Sequence, residues 1–378
     1  MAVASYDKAN PASVIRDVLI DPIADETEGY VYHEIFGLPV RPSGGIARGR
    51  AIDISSSGDG SGPGILAGAL VKRHSRDLLS ASAGQTSADA IGAARTVSTS
   101  FGTSTISFDV KQFTASTKEN RSILAAGMSE DEELYLLRAA ATGCHQKLER
   151  YCSDFFLALA AEKTAGTAET AGGWNEVDWQ AALNGSALGS SNTTMEVFHS
   201  AIEALRLSGN AKVNSCIIPR QVMSKLRSDP QVLSRVVSGT SGQGFAMVNG
   251  VAVATIDFVK QVFKEHLGME HVWVPDGVRD PSANTGDAQA NEYIWKQGGG
   301  QRCWIGRAGE IDFSLRTGAA PRVLSGTGSF CAVYSRLMDV DIGPDQPTGA
   351  QSTLVTVDTE AQFIALDPKK GTILDNMY

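Results

Sequence analysis

The residues whose types best suit a metal site lie close together near the end of a predicted helix. They are Glu265, His266, Glu270 and His271. Imidazole and carboxylate groups are common zinc ligands. The spacing fits none of the zinc-protease helices, however, and Gly268 ends the helix between the two histidines. We therefore interpret these side chains as solvated or hydrogen-bonded and predict no metal site.

Two further patterns resemble ligand-binding loops without completing them. Residues 62–67 loosely match a dinucleotide-binding turn, but they lack the buried strand and the helix that such a turn requires on either side. A flexible arm is the better interpretation of this glycine-rich stretch. Asp339, Asp341 and Asp345 are spaced like the start of a calcium loop, yet Ala350 stands where the loop needs its glutamate. An EF-hand is therefore excluded, and a weak surface cation site stays open.

No set of side chains resembles a catalytic centre. Cys144 and His145 are adjacent on a predicted helix, where neighbours point about 100° apart, so we expect one in the core and one at the surface. The chain has no Walker phosphate loop and no nucleophile elbow. Its five scattered cysteines are predicted to be reduced, mostly buried thiols. We predict no catalytic residues, no cofactor and no enzymatic activity.

Residues 37–105 cannot form a core of their own. Glycine and serine fill 24 of these 69 positions. An uninterrupted segment of this length is either a disordered linker or a functional extension. Its return leg, residues 95–105, has the threonine and valine content typical of strands. We predict a long β-ribbon that projects from the body and is stabilised by another subunit.

The charges are divided unevenly between this arm and the rest of the chain. The arm has seven lysines and arginines against four aspartates, a net +3, so the remainder of a chain with net charge −9 carries −12. Opposite charges favour contact between the arm of one subunit and the body of another. We predict that basic residues near the ribbon tip meet an acidic run of a neighbouring subunit. The basic residues are Lys72, Arg73 and Arg76, and the acidic ones are Glu130, Asp131, Glu132 and Glu133.

The clearest helix of the sequence is predicted over residues 129–164. Ser129 and Glu132 form a capping box, and apolar residues follow at three- and four-residue steps. At 1.5 Å per residue such a helix is about 54 Å long, which suits a spine for the other elements. A strand precedes it, since Ile106, Phe108 and Val110 alternate with polar residues.

Helices and strands alternate beyond the predicted spine, so the predicted class is α+β. Helices are predicted over 194–207, 220–236 (interrupted at Asp229-Pro230) and 255–267, strands over 213–219 and 271–274, and a hairpin over 293–305. The tail is predicted as strands over 332–342, 353–357 and 362–366. With 378 residues, 42% of them hydrophobic, the chain is long enough for about two domains. We expect neither a signal peptide nor a membrane span, because no apolar run approaches the required ~20 residues.

The order of these parts resembles the major capsid proteins of tailed phages, whose Hong Kong 97-type shell fold is shared with encapsulins. Several stretches are similar to the GpE-like capsid family in particular. They are residues 20–22 and 30–36 with Pro39-Val40, the strand from Thr105 into the spine helix, 217–220 followed by 226–236, and 263–268 followed by 272–274. The likeness covers nearly the whole chain and rests on element order, because this family has no catalytic motif.

The resemblance implies a Hong Kong 97-type capsid fold with five parts. These are an N-terminal arm (1–36), an extended loop (37–105), a peripheral domain with the spine helix (106–184), an α/β axial domain (185–331), and the return strands with a C-terminal strand (332–378). The strand near 362–366 is expected to return to the axial domain.

The resemblance also implies self-assembly into the pentamers and hexamers of an icosahedral virion capsid around phage double-stranded DNA. The expected partners are further copies of the chain, a separate scaffolding protein, a portal and, optionally, a decoration protein, with assembly in the host cytoplasm. DNA would be held without sequence-specific binding, and no membrane is involved. Two alternatives stay open. One is an encapsulin-type nanocompartment shell, and the other a nucleotide-dependent α/β enzyme with a phosphate turn at residues 239–244.

Overall fold

A computed structural model of the chain describes its helices, its strands and part of their connections. The described residues are 29–37, 46–49, 51–53, 70–74, 103–107, 111–120, 130–157, 175–178, 194–209, 211–238, 245–248, 251–280, 291–296, 302–309, 311–314, 329–335, 339–344, 352–365, 370–375 and 377. The helices are α1 (Tyr32–Phe36), α2 (Glu130–Leu157), α3 (Thr194–Gly209), α4 (Arg220–Leu226), α5 (Pro230–Ser238) and α6 (Ile256–Leu267). The strands are β1 (Ile46–Gly49), β2 (Ala51–Asp53), β3 (Leu70–His74), β4 (Thr103–Ser107), β5 (Lys111–Asn120), β6 (Asn175–Asp178), β7 (Ser215–Ile217), β8 (Phe245–Val248), β9 (Val251–Ala254), β10 (His271–Trp273), β11 (Val278–Arg279), β12 (Glu292–Tyr293), β13 (Cys303–Gly306), β14 (Ile311–Ser314), β15 (Cys331–Ser335), β16 (Asp339–Pro344), β17 (Ser352–Ala365) and β18 (Gly371–Asp375).

One sheet organises the α/β region. Its strand order is β10-β7-β13-β18-β6, with parallel pairs at both ends and antiparallel pairs between them. Helices α3 to α6 cover one face through buried side chains such as Phe198, Met223 and Phe263. The other face carries Ile217, Trp304 and Ile373, which belong to a second buried cluster. Because both faces are covered, β7 and β13 are buried along their length rather than alternating between buried and exposed residues.

A second sheet is built around β17, which is 14 residues long. β5 pairs with it over ten residues on one side, while β16 and then β15 pair with it on the other. β2 extends this sheet by pairing in parallel with β15. Val355, Val357, Thr359 and Ala361 are buried, and the residues between them are half-buried, as the two-residue period of a strand requires.

Helix α2 connects the two sheets. Its first half packs on β5 and β17 through Leu137, Ala141 and Cys144. Its last turns enter an aromatic cluster, where Phe156 lies 4.9 Å from Trp304 and 6.0 Å from Phe330 between ring centroids. Its 28 residues make a helix about 42 Å long, and its packing against both sheets is that of a spine.

Several sequence predictions are confirmed. α4 and α5 are separate helices divided at Asp229-Pro230. Thr255 caps α6, and Gly268 ends it in the left-handed conformation at φ 69°. β3 and β4 pair as an antiparallel ribbon, and all five cysteines are free and buried.

Two predictions reach beyond the described residues, and a third is wrong. The spine helix is described over Glu130–Leu157, while residue 129 and residues 158–164 lie outside the described residues. The predicted strand around Ile106 is described as far as Ser107, and residues 108–110 also lie outside. The hairpin over 293–305 is wrong, because β12 pairs with β11 whereas β13 pairs with β7 and β18.

The predicted tail strands also differ from the structure. Residues 353–357 and 362–365 belong to the single strand β17. The strand that joins the sheet of the α/β region is therefore β18, and not the segment near 362–366. β17 forms one strand because it has paired strands along its whole length. The polar residues 358–360 at its centre are paired as well.

Candidate functional site

The ribbon β3–β4 contains two of the predicted contact residues. Lys72 lies opposite Thr105 and Arg73 opposite Ser104. Arg76 lies outside the described residues. The acidic run Glu130, Asp131, Glu132 and Glu133 forms the first turn of α2. The contact between the two groups, which joins neighbouring subunits, stays a prediction.

The base of the predicted arm is tied to the body at two places. β1 pairs antiparallel with β14, with Ile46 opposite Ser314 and Gly49 opposite Ile311. β2 pairs in parallel with β15, and Ala51 in β2 is completely buried. These two strands therefore attach the first part of the predicted arm to the body.

Residues 29–37, which we call the N-terminal anchor, dock on the side of α2. Tyr32, Ile35 and Phe36 of α1 are buried there. The ring of Phe36 lies 5.1 Å from that of Phe363 in β17 and 6.1 Å from that of Phe156 in α2. The anchor thus lies in the same aromatic cluster as the end of the spine helix.

The beginning of the anchor requires a glycine. Gly29 has φ 83°, and a Cβ there would lie 1.7 Å from Oδ1 of Asp276. Its carbonyl oxygen accepts hydrogen bonds from the backbone N–H groups of Asp276 and Gly277 at 3.2 and 3.4 Å. The anchor is therefore fixed to the α/β region at one end and to α2 at the other.

A buried carboxylate holds the anchor on α2. Glu149 is completely buried. Its Oε1 accepts hydrogen bonds from the backbone N–H of Val31 at 2.9 Å and from Nε1 of Trp295 at 2.6 Å, and its Oε2 accepts one from the backbone N–H of Tyr32 at 2.8 Å. These contacts join segments more than 110 residues apart in the sequence. One side chain of the spine thus satisfies free N–H groups at the start of α1 and orients Trp295.

The surroundings of Glu149 favour its neutral form. Burial raises the pKa of Glu149 from 4.5 to about 7, against the hydrogen bonds from Val31, Trp295 and Tyr32, which lower it. The nearby carboxylate of Glu34 raises this pKa further. Burial also raises the pKa of the Tyr32 hydroxyl.

A histidine pair lies one turn away on the same interface. Nε2 of His33 and Nδ1 of His145 are 3.1 Å apart, so one nitrogen donates and the other accepts. His145 is only 4% exposed, which corrects the prediction that one of Cys144 and His145 lies at the surface. Both are buried because β5 and β17 cover one flank of α2 while the N-terminal anchor covers the next.

Arg302 makes a second junction, at the C-terminal end of α2. Its Nε and Nη2 donate to the two carboxylate oxygens of Asp375 at 2.9 and 3.0 Å. Its Nη1 donates to the carbonyl oxygen of Leu157 at 3.0 Å. The end of the spine helix, the start of β13 and the end of β18 therefore meet at one guanidinium group.

The positions considered for ligand chemistry are not brought together. His266 and His271 are both exposed, and His271 stacks on Trp273 with ring centroids 5.4 Å apart. Asp339 and Asp341 lie in the strand β16 rather than in a loop. Residues 62–67 and 239–244 lie outside the described residues. Within the described part of the chain, no three His, Cys, Asp or Glu side chains are grouped so that they could hold a metal ion.

Sequence reasoning missed Glu149, Trp295 and the His33–His145 pair. A signal was present, because His145, Glu149, Cys152 and Phe156 follow one another at four-, three- and four-residue steps, as buried residues of a helix do. A glutamate within such a stripe indicates a buried carboxylate. Its partners were not predictable, since they lie far away in the sequence.

Comparisons with known proteins identify the fold. No protein-family model matches the chain, and no curated protein matches it. Among solved structures, a phage-related protein from Bordetella bronchiseptica RB50 is 14% identical, with a TM-score of 0.55 over 97% of both chains. The capsid of the cyanophage P-SCSP1u is 13% identical with a TM-score of 0.47, covering 90% of this chain and 91% of that one. A virus-like particle from Pyrococcus furiosus is 10% identical with a TM-score of 0.44, covering 96% and 98%.

The likeness to the Bordetella protein extends over nearly the full length of both chains. The chain has the α+β fold that its resemblance to the Hong Kong 97-type family implied, and the predicted fold class is confirmed. None of the described helices combines the length and the apolar character needed to cross a bilayer.

Proposed function

We propose that this chain is a major capsid protein of a tailed phage, which self-assembles into pentamers and hexamers of an icosahedral shell. The observation that carries the proposal is the fold shared over 97% of the chain with a phage-related protein. The pairing of β3 with β4, and of β1 and β2 with strands of the body, supports it. Such a ribbon has little core of its own and is stabilised best by a neighbouring copy.

The proposed roles follow the predicted parts of the chain. The extended loop (37–105) lies on a neighbouring subunit, and the N-terminal arm (1–36) precedes it. The peripheral domain is formed by residues 106–184 with α2 and by the return strands from 332 onward. Residues 185–331 form the axial domain at the centre of pentamers and hexamers, to which β18 returns.

The proposed partners are copies of the same chain, a separate scaffolding protein, a portal and, optionally, a decoration protein. Double-stranded DNA would be packaged without sequence-specific contacts, because a body with net charge −12 does not bind a polyanion tightly. The proposed location is the virion capsid, assembled in the host cytoplasm without a membrane. The role is structural rather than enzymatic, and it uses no cofactor.

Electron microscopy of the expressed full-length chain tests this proposal. Negative-stain images are expected to contain closed icosahedral shells or isolated capsomers. Coexpression with a candidate scaffolding protein should increase the fraction of closed shells. A protein that stays monomeric at all concentrations, with or without scaffolding protein, contradicts the proposal. Shells purified from the native source with an enzyme cargo in place of DNA would identify an encapsulin-type compartment instead.

The charge contact between the ribbon tip and the start of α2 gives a separate prediction. The paired substitution Arg73→Glu with Arg76→Glu should lower the yield of assembled particles and change its dependence on salt, because like charges then face each other. Each exposed pair contributes only about 0.2–1 kcal/mol, but a shell repeats it many times. Particle yield is measured by sedimentation across a salt series.

A charge-swapped variant is the matched control for that experiment. Glu130→Arg with Glu133→Arg, added to the arginine substitutions, should restore assembly if the two groups meet. Normal assembly and unchanged salt dependence of the Arg73→Glu, Arg76→Glu chain would contradict the predicted contact.

A further inference from the structure

The hydrogen bonds that hold the N-terminal anchor do not require a negative charge on Glu149. Oε1 accepts two N–H groups, from Val31 and Trp295, and Oε2 accepts one from Tyr32. In a neutral carboxylic acid the carbonyl oxygen can still accept two hydrogen bonds, and the hydroxyl oxygen can accept one. A proton on Oε2 therefore leaves all three contacts in place and removes the buried charge.

Docking of the anchor changes the environment of this carboxyl group. With the anchor in place the group is fully buried against neutral N–H donors, and a second carboxylate, Glu34, acts on it. Without the anchor, the same face of α2 would meet water, and the pKa of Glu149 would return toward 4.5 from about 7. The docked state therefore binds a proton more tightly than the undocked state.

We propose that docking of the N-terminal anchor onto α2 takes up a proton at Glu149, so that the anchor is held more tightly below neutral pH than above it. Between pH 4.5 and about 7 the docked state holds a proton that the undocked state lacks. Raising the pH through this window therefore favours release. Above the window, Glu149 is ionised in both states, and the docked state contains a buried charge without a cationic hydrogen-bond partner.

The neighbouring titratable groups lie on the elements packed around Glu149. They are Tyr32, His33 and Glu34 on α1, Cys144, His145 and Cys152 on α2, Cys331 on β15, and Glu292 and Lys296 next to Trp295. Burial raises the pKa of Tyr32, Cys144 and Cys152, so these groups stay neutral across the window. Glu292 is paired with Arg279 and Lys296.

The histidine pair limits the effect at low pH. His33 and His145 share one hydrogen bond, which two imidazolium rings cannot form because both nitrogens would be donors. Desolvation lowers the pKa of His33, which delays this double protonation. Docking is therefore expected to be tightest at mildly acidic pH and to weaken again in stronger acid.

Hydrogen exchange of the full-length chain, read by mass spectrometry, tests the proposal. Peptides from residues 29–37 are compared with peptides from α6 between pH 5.5 and 8.5, after correction for the intrinsic pH dependence of exchange. We expect protection of 29–37 to fall on the order of tenfold across this range, while protection of α6 stays constant. Protection of 29–37 that is independent of pH, or that increases with pH, overturns the proposal.

Substitutions separate proton uptake from a purely structural role. Glu149→Gln keeps an acceptor for Val31 and Trp295 but places an amide N–H group against the N–H of Tyr32. The substitution should weaken docking at every pH and abolish the pH dependence of protection at residues 29–37. A Glu149→Gln chain whose protection still falls as the pH rises overturns the proposal.

Two further variants serve if Glu149→Gln does not fold. Glu34→Gln, at an exposed position, removes the second carboxylate and should move the pH midpoint of protection at residues 29–37 to lower pH. Trp295→Phe removes a hydrogen-bond donor to the ionised carboxylate and should move this midpoint to higher pH. Glu270→Gln, at an exposed carboxylate of the α/β region, should leave the pH profile of protection at residues 29–37 unchanged. Midpoints of Glu34→Gln and Trp295→Phe that both equal that of the natural chain overturn the proposal.

Discussion

Single side chains make the long-range junctions of this molecule. Glu149 lies on α2 and Arg302 just before β13, and each forms hydrogen bonds with two segments that are distant in the sequence. In both cases an ionisable side chain makes these hydrogen bonds in buried or half-buried surroundings, where they contribute more than at the surface. Removing one of these side chains takes the hydrogen bonds away from its partners, which is the larger part of the cost.

Arg302→Met should lower the free energy of unfolding by about 2–3 kcal/mol. The substitution keeps much of the aliphatic volume, but it leaves the carboxylate of Asp375, whose side chain is 14% exposed, without its bidentate partner. The last carbonyl group of α2 also loses its donor. Thermal unfolding measured by circular dichroism should detect a fall in Tm of several degrees.

Arg206→Met is the control for that prediction. Arg206 and Glu203 form an ion pair on α3 with side chains that are 71% and 60% exposed. Water screens such a pair, so its loss should change stability by less than about 0.5 kcal/mol. Equal effects of the two substitutions would contradict the role assigned to Arg302.

At the scale of elements, the spine helix lies very close to the sheet beneath it. A Cβ at Gly143 would lie 3.2 Å from the Cβ of Ala115 in β5. The role of Gly143 is this close approach. The glycine lets the backbone of α2 rest directly on β5.

Gly143→Val should therefore destabilise the chain by about 1–3 kcal/mol, because its two methyl groups push α2 away from β5. Gly143→Ala should be nearly neutral, since its gain in helix propensity of about 1 kcal/mol offsets the tight contact. Adding Ala115→Gly to Gly143→Val should recover part of the loss. Unfolding midpoints of the natural chain, of Gly143→Val, of Ala115→Gly and of the double variant measure the coupling. Additive effects would show that the two residues do not press on each other.

Local signals were predictable at this scale, and distant partners were not. Thr255 and Gly268 mark the ends of α6 because caps act within one turn of the backbone. The break at Asp229-Pro230 was also readable, and the structure adds that Asp229 accepts N–H bonds from Gln231 and Val232 at the start of α5. By contrast, Asp358, Thr359 and Glu360 suggested a gap in what is one strand. Pairing with β5, more than 230 residues earlier, carries β17 through that polar stretch.

The candidate site was harder to predict for the same reason. The basic tip and the acidic run were visible as charge, but the contact that we propose for them is with another subunit. The junction at Glu149 depends on Val31, Tyr32 and Trp295, whose distances from it in the sequence exceed 110 residues. Pattern and propensity describe neighbours in sequence, so such a junction becomes visible only in the folded chain.

At the scale of the whole molecule, the chain closes on itself through β18. This strand lies between β13 and β6 inside the sheet of the α/β region, and Ile373 and Leu374 are buried on its two faces. Met377, beyond the strand, is also completely buried. Residues 371–374 and Met377 are therefore part of the core.

A chain that ends at residue 365 should fail to give soluble, folded protein, because it leaves β13 and β6 without the strand between them. A chain that ends at Met377 keeps every contact described for β18 and should behave like the full-length protein. Soluble yield and near-ultraviolet circular dichroism distinguish the two. A soluble chain ending at 365 with an unchanged unfolding transition would contradict the central position of β18.

The location of β18 also sets when the sheet of the α/β region can become complete. Residues 371–375 are synthesised long after β7 and β13, so the sheet lacks an inner strand until they leave the ribosome. A polypeptide abandoned before residue 371 can fold in part, but it cannot complete this sheet.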